Sequence, residues 1–111
     1  MEFRPTLAQL KKDVRRINRT VFKNELNLKE VVLEIDYDLR AEWGYCVPGD
    51  EPGFNTDVVY IGVADKFPDR MTYDVVLTHE MIHLYQLQIL KIQPTHGASF
   101  KKLAKMYRAK V

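Results

Sequence analysis

The first apolar residues of the chain recur at intervals of three and four, which is the period of one face of an α-helix. The members of this stripe are Leu7, Leu10, Val14, Ile17 and Val21. Thr6 and Gln9 have the spacing of a capping box, which commonly marks a helix start. The pattern predicts a first helix over residues 6–23, with the basic side chains of this segment on its other face.

From residue 31 the apolar period changes to two, as in a strand with one buried face. The apolar members of this run are Leu33, Ile35, Tyr37 and Leu39, and the acidic members are Glu34, Asp36 and Asp38. Two further strands are predicted over residues 42–47 and 57–63, separated by a loop rich in Pro, Gly and Asp at residues 48–55. The short connections predict an antiparallel meander whose final strand lies at the edge of the sheet, beside the functional site.

Residues 72–90 are apolar on nearly every face, as in a helix that runs through the middle of a small domain. Thr72 is suited to cap this helix, and Pro94 prevents its continuation. A last amphipathic helix has its apolar positions at Phe100, Leu103, Ala104 and Tyr107. The order of elements predicts an α+β fold with an N-terminal helix, a three-stranded antiparallel sheet, a central helix and a C-terminal helix. The length suits one domain over residues 1–111.

Composition narrows the class of protein. Apolar residues form 46% and charged residues 29% of the chain, as in a soluble globular domain, and no apolar run is long enough to span a membrane. Cys46 is the only cysteine, which excludes an internal disulfide and suits a buried, unreactive thiol in a reducing compartment. The N-terminus lacks the pattern of a secretory signal. We therefore expect a cytoplasmic location, compatible with association with a nucleoid or, for a viral protein, with the host cytoplasm.

The net charge is only +2, but the charged residues are sorted along the chain. Residues 1–30 contain eight Lys or Arg and four acids, residues 31–80 contain three and eleven, and residues 81–111 contain six and none. Basic ends suit contact with DNA phosphates or acidic partners. A charge run on a helix is more commonly its solvated face, so both interpretations stay open.

The residues with the clearest chemistry lie inside the predicted central helix, where His79, Glu80 and His83 form the pattern HExxH. Residues four apart lie one above the other on a helix, so both imidazoles can bind one zinc ion at about 2.0 to 2.1 Å. Glu80 is turned about 100° from His79, which suits a general base for a water on the metal better than a ligand. The pattern indicates hydrolysis of peptide bonds.

A catalytic zinc ion usually has three protein ligands and one open position. The chain has no Asp or Glu after Glu80, which excludes a downstream acidic ligand. The metzincin spacing needs glycine at position 86 and histidine at position 89, where this chain has Gln86 and Ile89. His96 is the remaining candidate, so we predict one Zn²⁺ held by His79, His83 and His96. The alternatives are a chance pattern of packed or exposed histidines, and a zinc site that is structural.

The segment HEMIHLYQ, followed by a helix break and HGASF, resembles the SprT-like domain, the family that includes the Spartan DNA-dependent protease. A hairpin around Gly44, Tyr45 and Cys46, followed by an apolar strand, is similar to the order of elements in that family, so the resemblance covers about residues 5–107. It implies a zincin-like minimal metallopeptidase fold, the same three zinc ligands, and Glu80 as the catalytic glutamate. It also implies substrates that are bound or crosslinked to DNA, with single-stranded DNA as a partner.

The sequence departs from the family pattern at two places. Ser99 stands where the HGxxF segment of the family commonly has glutamate, which bears on the groups that tune the metal ligands. Members of the family often continue into a cysteine-rich zinc ribbon or a DNA-binding segment, whereas this sequence ends at Val111. We therefore expect targeting to depend on the domain itself or on a partner.

Two functions from different classes follow from the sequence. One is a zinc metalloendopeptidase that cleaves DNA-associated or DNA-crosslinked proteins, and the other is a zinc-stabilised module that binds DNA or protein without catalysis. For the peptidase, we predict that an extended substrate pairs with an edge strand formed by Val58, Val59, Tyr60 and Ile61. Side chains that could help to polarise the scissile carbonyl, by residue type alone, are Tyr45, Tyr60, Arg70 and Tyr85.

Overall fold

The computed structural model describes residues 2–39, 42–49 and 58–108, with side chains described as far as Lys105. The elements in chain order are α1 (Leu7–Thr20), a 3₁₀ turn (Leu28–Glu30), β1 (Val31–Asp36), β2 (Gly44–Pro48), β3 (Val59–Ala64), α2 (Arg70–Gln88) and α3 (Ala98–Arg108). The predicted α+β class is confirmed. The predicted loop from residue 50 onward, the predicted strand start at Asp57 and the side chain of Tyr107 lie outside the described part of the chain.

Helix α1 begins as its sequence predicts, because the Thr6 hydroxyl accepts a hydrogen bond from the backbone N–H of Gln9 at 3.1 Å. The four apolar residues of its stripe that follow Leu7 are buried: Leu10, Val14, Ile17 and Val21. The helix ends at Thr20 rather than at residue 23. Lys23 and Asn24 have φ angles of 54° and 62°, which a right-handed helix does not accommodate.

The sheet is mixed, which makes the predicted antiparallel meander wrong. Its order is β1-β3-β2, with β1 parallel to β3 and β2 antiparallel to β3. Strand β3 is therefore central, whereas the sequence interpretation placed it at an edge. Its last four residues are all buried, as expected for a strand that has a neighbour on each side.

The two faces of the sheet differ in character. Ile61 and Val63 of β3 are fully buried and lie on the face that packs against the helices, together with Leu33 of β1. The opposite face carries polar groups, among them Tyr45, whose hydroxyl donates a hydrogen bond to Glu34. Tyr37, predicted to lie on the apolar side of β1, follows the end of that strand and is 68% exposed.

Helix α2 begins at Arg70, and its N-cap is Asp69 rather than the predicted Thr72. The Asp69 carboxylate accepts a hydrogen bond from the backbone N–H of Thr72 at 2.7 Å, and this bond lowers the pKa of Asp69. The helix packs against β2, β3 and α3, and nine of its 19 residues are buried, with most of the others half-buried, in line with the predicted central helix. Its N-terminal turns are the exception, because Met71 is 76% exposed and Val75 is 39% exposed.

A buried carboxylate joins α1 to α2. Asp13 is 2% exposed and accepts hydrogen bonds from the hydroxyl of Tyr73 at 2.9 Å, from Arg70 Nη2 at 3.0 Å and from the side-chain amide of Gln9. These bonds fix the start of α2 relative to α1. None of the helices in the described ranges combines the length and the apolar character that a membrane span requires.

Candidate metal centre

Three imidazoles converge at the C-terminal half of α2. His79 and His83 lie one turn apart on α2, and His96 lies in the segment that connects α2 to α3. The Nε2 atoms are 3.2 Å apart for His79 and His83, 3.1 Å apart for His83 and His96, and 3.1 Å apart for His79 and His96. Among the described residues, this is the one group of three potential metal ligands with converging ligand atoms.

The spacing of these nitrogens fits a zinc ion. Three ligand atoms at about 2.0 to 2.1 Å from a tetrahedral centre are separated from one another by about 3.3 to 3.4 Å. Three unprotonated nitrogens this close to one another repel unless a cation or a proton lies between them. Burial lowers the pKa of His83, which keeps that ring neutral, as a ligand must be. The donor set and its geometry therefore suit Zn²⁺.

The chain reversal after α2 explains how His96 reaches the other two histidines. Lys91 has a φ of 58°, and the backbone N–H of Ile92 donates to the carbonyl of Gln86 at 3.0 Å, which ends the helix and turns the chain back. The backbone of Thr95 then bonds to the side chain of Gln86. This tether holds the residue that directly precedes His96.

Phe100 forms an apolar floor beneath the three imidazoles. Its ring centroid lies 4.7 Å from that of His79, 4.9 Å from that of His83 and 5.0 Å from that of His96. Phe100 is 7% exposed and lies in the first turn of α3. The position of α3 is therefore coupled to the geometry of all three rings.

Glu80 lies beside the histidines and faces the sheet. Its Oε2 atom is 3.9 Å from Nε2 of His79, and the residue is 6% exposed. Burial, and to a lesser degree the charge of Glu42, raise the pKa of Glu80 to about 8. A cation held by the neighbouring imidazoles acts in the opposite direction and favours the carboxylate.

The absence of a side chain at Gly44 makes room for Glu80. A Cβ atom at Gly44 would lie 3.2 Å from Cγ of Glu80 and 3.0 Å from Cγ1 of Val76. The start of β2 can therefore approach α2 closely at this point. A cleft of about 320 Å³ opens here, and it is lined by Glu42, Trp43, Gly44, Val75, Val76, His79 and Glu80.

A second, larger cavity, the apolar groove, lies between α2 and α3. It has a volume of about 510 Å³, and its apolar walls include Val75, Ile82 and Phe100. His79 and Val75 line both the cleft and this groove. His79 therefore lies where the cleft and the groove meet, with the other two histidines next to it.

The predicted substrate strand is wrong in its position. Residues 59–61 pair with β1 on one side and with β2 on the other, so their backbone groups are engaged within the sheet. Val58 directly precedes this paired strand. The strand that borders the cleft is β2. A continuous apolar run such as VVYIGVA is typical of a central strand, and this feature could have placed β3 correctly.

The candidate helper side chains mostly have other partners. Tyr45 bonds to Glu34, and alternation along β3 places Tyr60 on that same face with Gly62, away from α2. Arg70 pairs with Asp13, and the Tyr85 ring lies 5.9 Å from that of Phe22. In these contacts, none of the four candidate side chains points toward the three histidines.

Sequence reasoning also missed two residues of the site, Gln86 and Phe100, as functional positions. Gln86 is a polar residue three residues after His83, and a polar side chain in a helix predicted to be largely buried needs hydrogen-bond partners; this marks the position but does not reveal its role. Cys46 is half-buried, and burial raises the pKa of its thiol, in agreement with the predicted unreactive cysteine.

Comparison with known proteins agrees with this arrangement. No curated protein matches the chain. The model of the SprT-like family matches residues 10–110, which is nearly the whole sequence and includes the three histidines and Glu80. The chain therefore belongs to the SprT-like family.

Proposed function

We propose that the protein is a zinc-dependent metalloendopeptidase, a zincin-like minimal domain over residues 1–111. In this proposal His79, His83 and His96 bind one Zn²⁺, and Glu80 is the general base. The observation that carries the proposal is the convergence of three Nε2 atoms within 3.2 Å of one another, with a buried carboxylate 3.9 Å from one of them. A structural zinc site has no use for such a carboxylate.

The chemistry divides between the ion and the protein. Zinc held by His79, His83 and His96 would supply a Lewis acid that lowers the pKa of a water molecule from about 15.7 towards 7. Glu80 accepts the proton of the attacking water at a carboxylate oxygen and delivers it to the leaving amine nitrogen. The burial of Glu80 keeps bulk water from competing for this proton.

The shape of the site supports an extended polypeptide as substrate. The cleft beside Glu80 is bordered by β2, which pairs within the sheet through β3 alone among the described strands. A substrate strand can lie along the outer side of β2, which replaces the predicted pairing with residues 58–61. The apolar groove between α2 and α3 is large enough to accept an apolar side chain of that substrate.

The substrate class is proposed from charge and family together. Lys11, Lys12, Arg15 and Arg19 of α1 are exposed, as are Lys101, Lys102 and Lys105 of α3. Exposed basic side chains on two helices suit binding to single-stranded DNA. Together with membership of the SprT-like family, this supports proteins bound or crosslinked to DNA as substrates. The proposed location is the cytoplasm or a nucleoid.

Replacing Glu80 by Gln tests the mechanism. The variant should bind zinc as the wild type does, while cleavage of a protein substrate falls by at least about 10²-fold, because the amide cannot accept the proton. Zinc content and cleavage in the presence of single-stranded DNA are measured on the same samples. Unchanged cleavage by Glu80→Gln would contradict the proposed role.

The same experiment separates the peptidase from a zinc-stabilised binding module. If wild type and variant both bind zinc and DNA but neither cleaves any tested substrate, the binding module is the better description. Loss of cleavage in the variant alone supports the enzyme.

A further inference from the structure

The side chain of Gln86 is fully buried, with 0% of its surface exposed. Its Oε1 atom lies 2.9 Å from Nδ1 of His83 and 3.2 Å from the backbone N of Thr95. Its Nε2 atom lies 3.0 Å from the carbonyl oxygen of Thr95 and 3.2 Å from Oγ of Ser99. A side-chain amide offers two acceptor and two donor positions, and here all four are used.

The backbone of Thr95 fixes which way the amide points. The N–H of Thr95 can only donate and its carbonyl can only accept, so Oε1 of Gln86 must face the N–H and Nε2 must face the carbonyl. The reversed amide would place two donors together and two acceptors together. The orientation therefore follows from backbone chemistry.

This orientation determines the tautomer of His83. Because Oε1 can only accept, the proton of the neutral ring must be on Nδ1, where it is donated to Gln86. The Nε2 atom of His83 then has a free lone pair directed at the other two histidines. This is the tautomer that a metal ligand bonded through Nε2 needs.

The same amide holds the segment that carries His96. It bonds to both backbone groups of Thr95, which directly precedes His96, and to the hydroxyl of Ser99 at the start of α3. Gln86 therefore contacts one ligand and both flanks of another. Ser99, where the family commonly has glutamate, completes this set as an acceptor.

We propose that Gln86 is the positioning residue of the metal centre, which sets the Nδ1–H tautomer of His83 and clamps the His96 segment onto α2. This inference rests on the proposed zinc site and extends it to a residue outside the HExxH pattern. In this proposal Gln86 orients the metal ligands but does not itself bind the metal.

The chain offers a matched control in Gln88, two residues further along α2. Its Oε1 accepts from the backbone N–H of Asn27 at 2.8 Å, and its Nε2 donates to the carbonyl of Asn27 at 2.9 Å. Gln88 thus clamps a backbone segment in the same way as Gln86, but within the described part of the chain its side-chain hydrogen bonds go to Asn27 and not to any of the three histidines. Its replacement removes a comparable clamp without touching the metal centre.

The test compares zinc affinity, by competition with a chromophoric chelator, for wild type and the variants Gln86→Leu, Gln86→Glu and Gln88→Leu. We expect Gln86→Leu to weaken zinc binding by about 10- to 100-fold, the usual effect of removing a group that orients a ligand. Gln86→Glu keeps the acceptor for His83 but loses both donors, so its loss should be smaller than that of Gln86→Leu. Gln88→Leu should remain within about twofold of wild type.

A second measurement does not depend on the folding of any variant. In the metal-free wild type, the ¹⁵N shifts of the His83 ring should show the proton on Nδ1. A proton on Nε2 would overturn the proposal, as would equal zinc affinity of Gln86→Leu and wild type. If the wild-type protein binds no zinc, the proposed function is contradicted. The tautomer of His83 is measured in metal-free protein, so it tests the role of Gln86 independently of zinc binding.

Discussion

At the scale of single residues, the sequence predicts the metal centre better than its surroundings. His79 and His83 follow from helix geometry, and His96 follows because no other ligand type remains downstream. The structure brings all three together, with Phe100 beneath them. The roles of Gln86 and Phe100 could not be predicted, because they depend on how the segment after α2 folds back, and periodicity does not describe a chain reversal.

The His96→Ala variant tests the metal centre at this scale. Two imidazoles remain on α2, and two protein ligands hold zinc much more weakly than three, so the variant should lose most of its metal on dialysis. Elemental analysis should find one equivalent of zinc in the wild type and much less in the variant. Gly97→Ala is the control, since a Cβ there would meet only Oγ1 of Thr95, at 3.5 Å. Full zinc content in His96→Ala would contradict ligation by His96.

At the scale of elements, the sequence predicts where the helices and strands occur, but it does not predict which strands pair with each other. The three strands occur where the alternating or continuous apolar runs lie, and α1 starts at its predicted cap. Alternation in a strand reports which face is buried and contains no information about which strand pairs with which. The short connections between the strands predict an antiparallel sheet with β3 at its edge, whereas β3 lies between a parallel and an antiparallel neighbour.

The junction of α1 and α2 leads to a prediction about stability. Asp13→Ala removes the acceptor of the Tyr73 hydroxyl, and Tyr73 is fully buried, so an unpaired donor remains in the core. We expect a loss of about 2 to 3 kcal/mol in the free energy of unfolding. Arg70 adds little to this loss because its side chain is 44% exposed and can be solvated.

Urea denaturation, followed by far-UV circular dichroism, measures this loss. Glu2→Ala is the control, because Glu2 forms an ion pair with Arg4 in which both side chains are largely exposed. Such a pair contributes about 0 to 1 kcal/mol. Equal stability of Asp13→Ala and Glu2→Ala would show that the buried carboxylate does not join the two helices energetically.

At the scale of the whole molecule, the sorting of charge along the sequence becomes a sorting by element. Four exposed basic side chains lie on α1 and three on α3, whereas the cleft beside the metal centre contains Glu42 and Glu80. The sequence predicted the basic ends but not the acidic cleft, because Glu42 and Glu80 are 38 positions apart (80 − 42) and meet only through the packing of β2 against α2.

The basic surface of α3 leads to a prediction about DNA. Affinity for single-stranded DNA should fall steeply with salt, with a slope of about −0.7 for each phosphate contact in a plot of log affinity against log salt. Replacing Lys101, Lys102 and Lys105 together by Gln should make this slope shallower by about 2. Fluorescence anisotropy with a labelled oligonucleotide measures the effect, and Lys66→Gln, an exposed lysine in the acidic part of the chain, is the control. Binding that is absent or independent of salt would contradict direct DNA contact.

The fold-back after α2 has a consequence for how the molecule assembles. All three imidazoles and the phenyl ring beneath them come from residues 79–100, whereas the parallel pairing of Val31 with Val59 joins distant parts of the chain. Short loops close with less loss of entropy and faster than long ones. We therefore expect the contacts among α2, α3 and their connecting segment to form earlier in folding than the parallel pairing of β1 with β3.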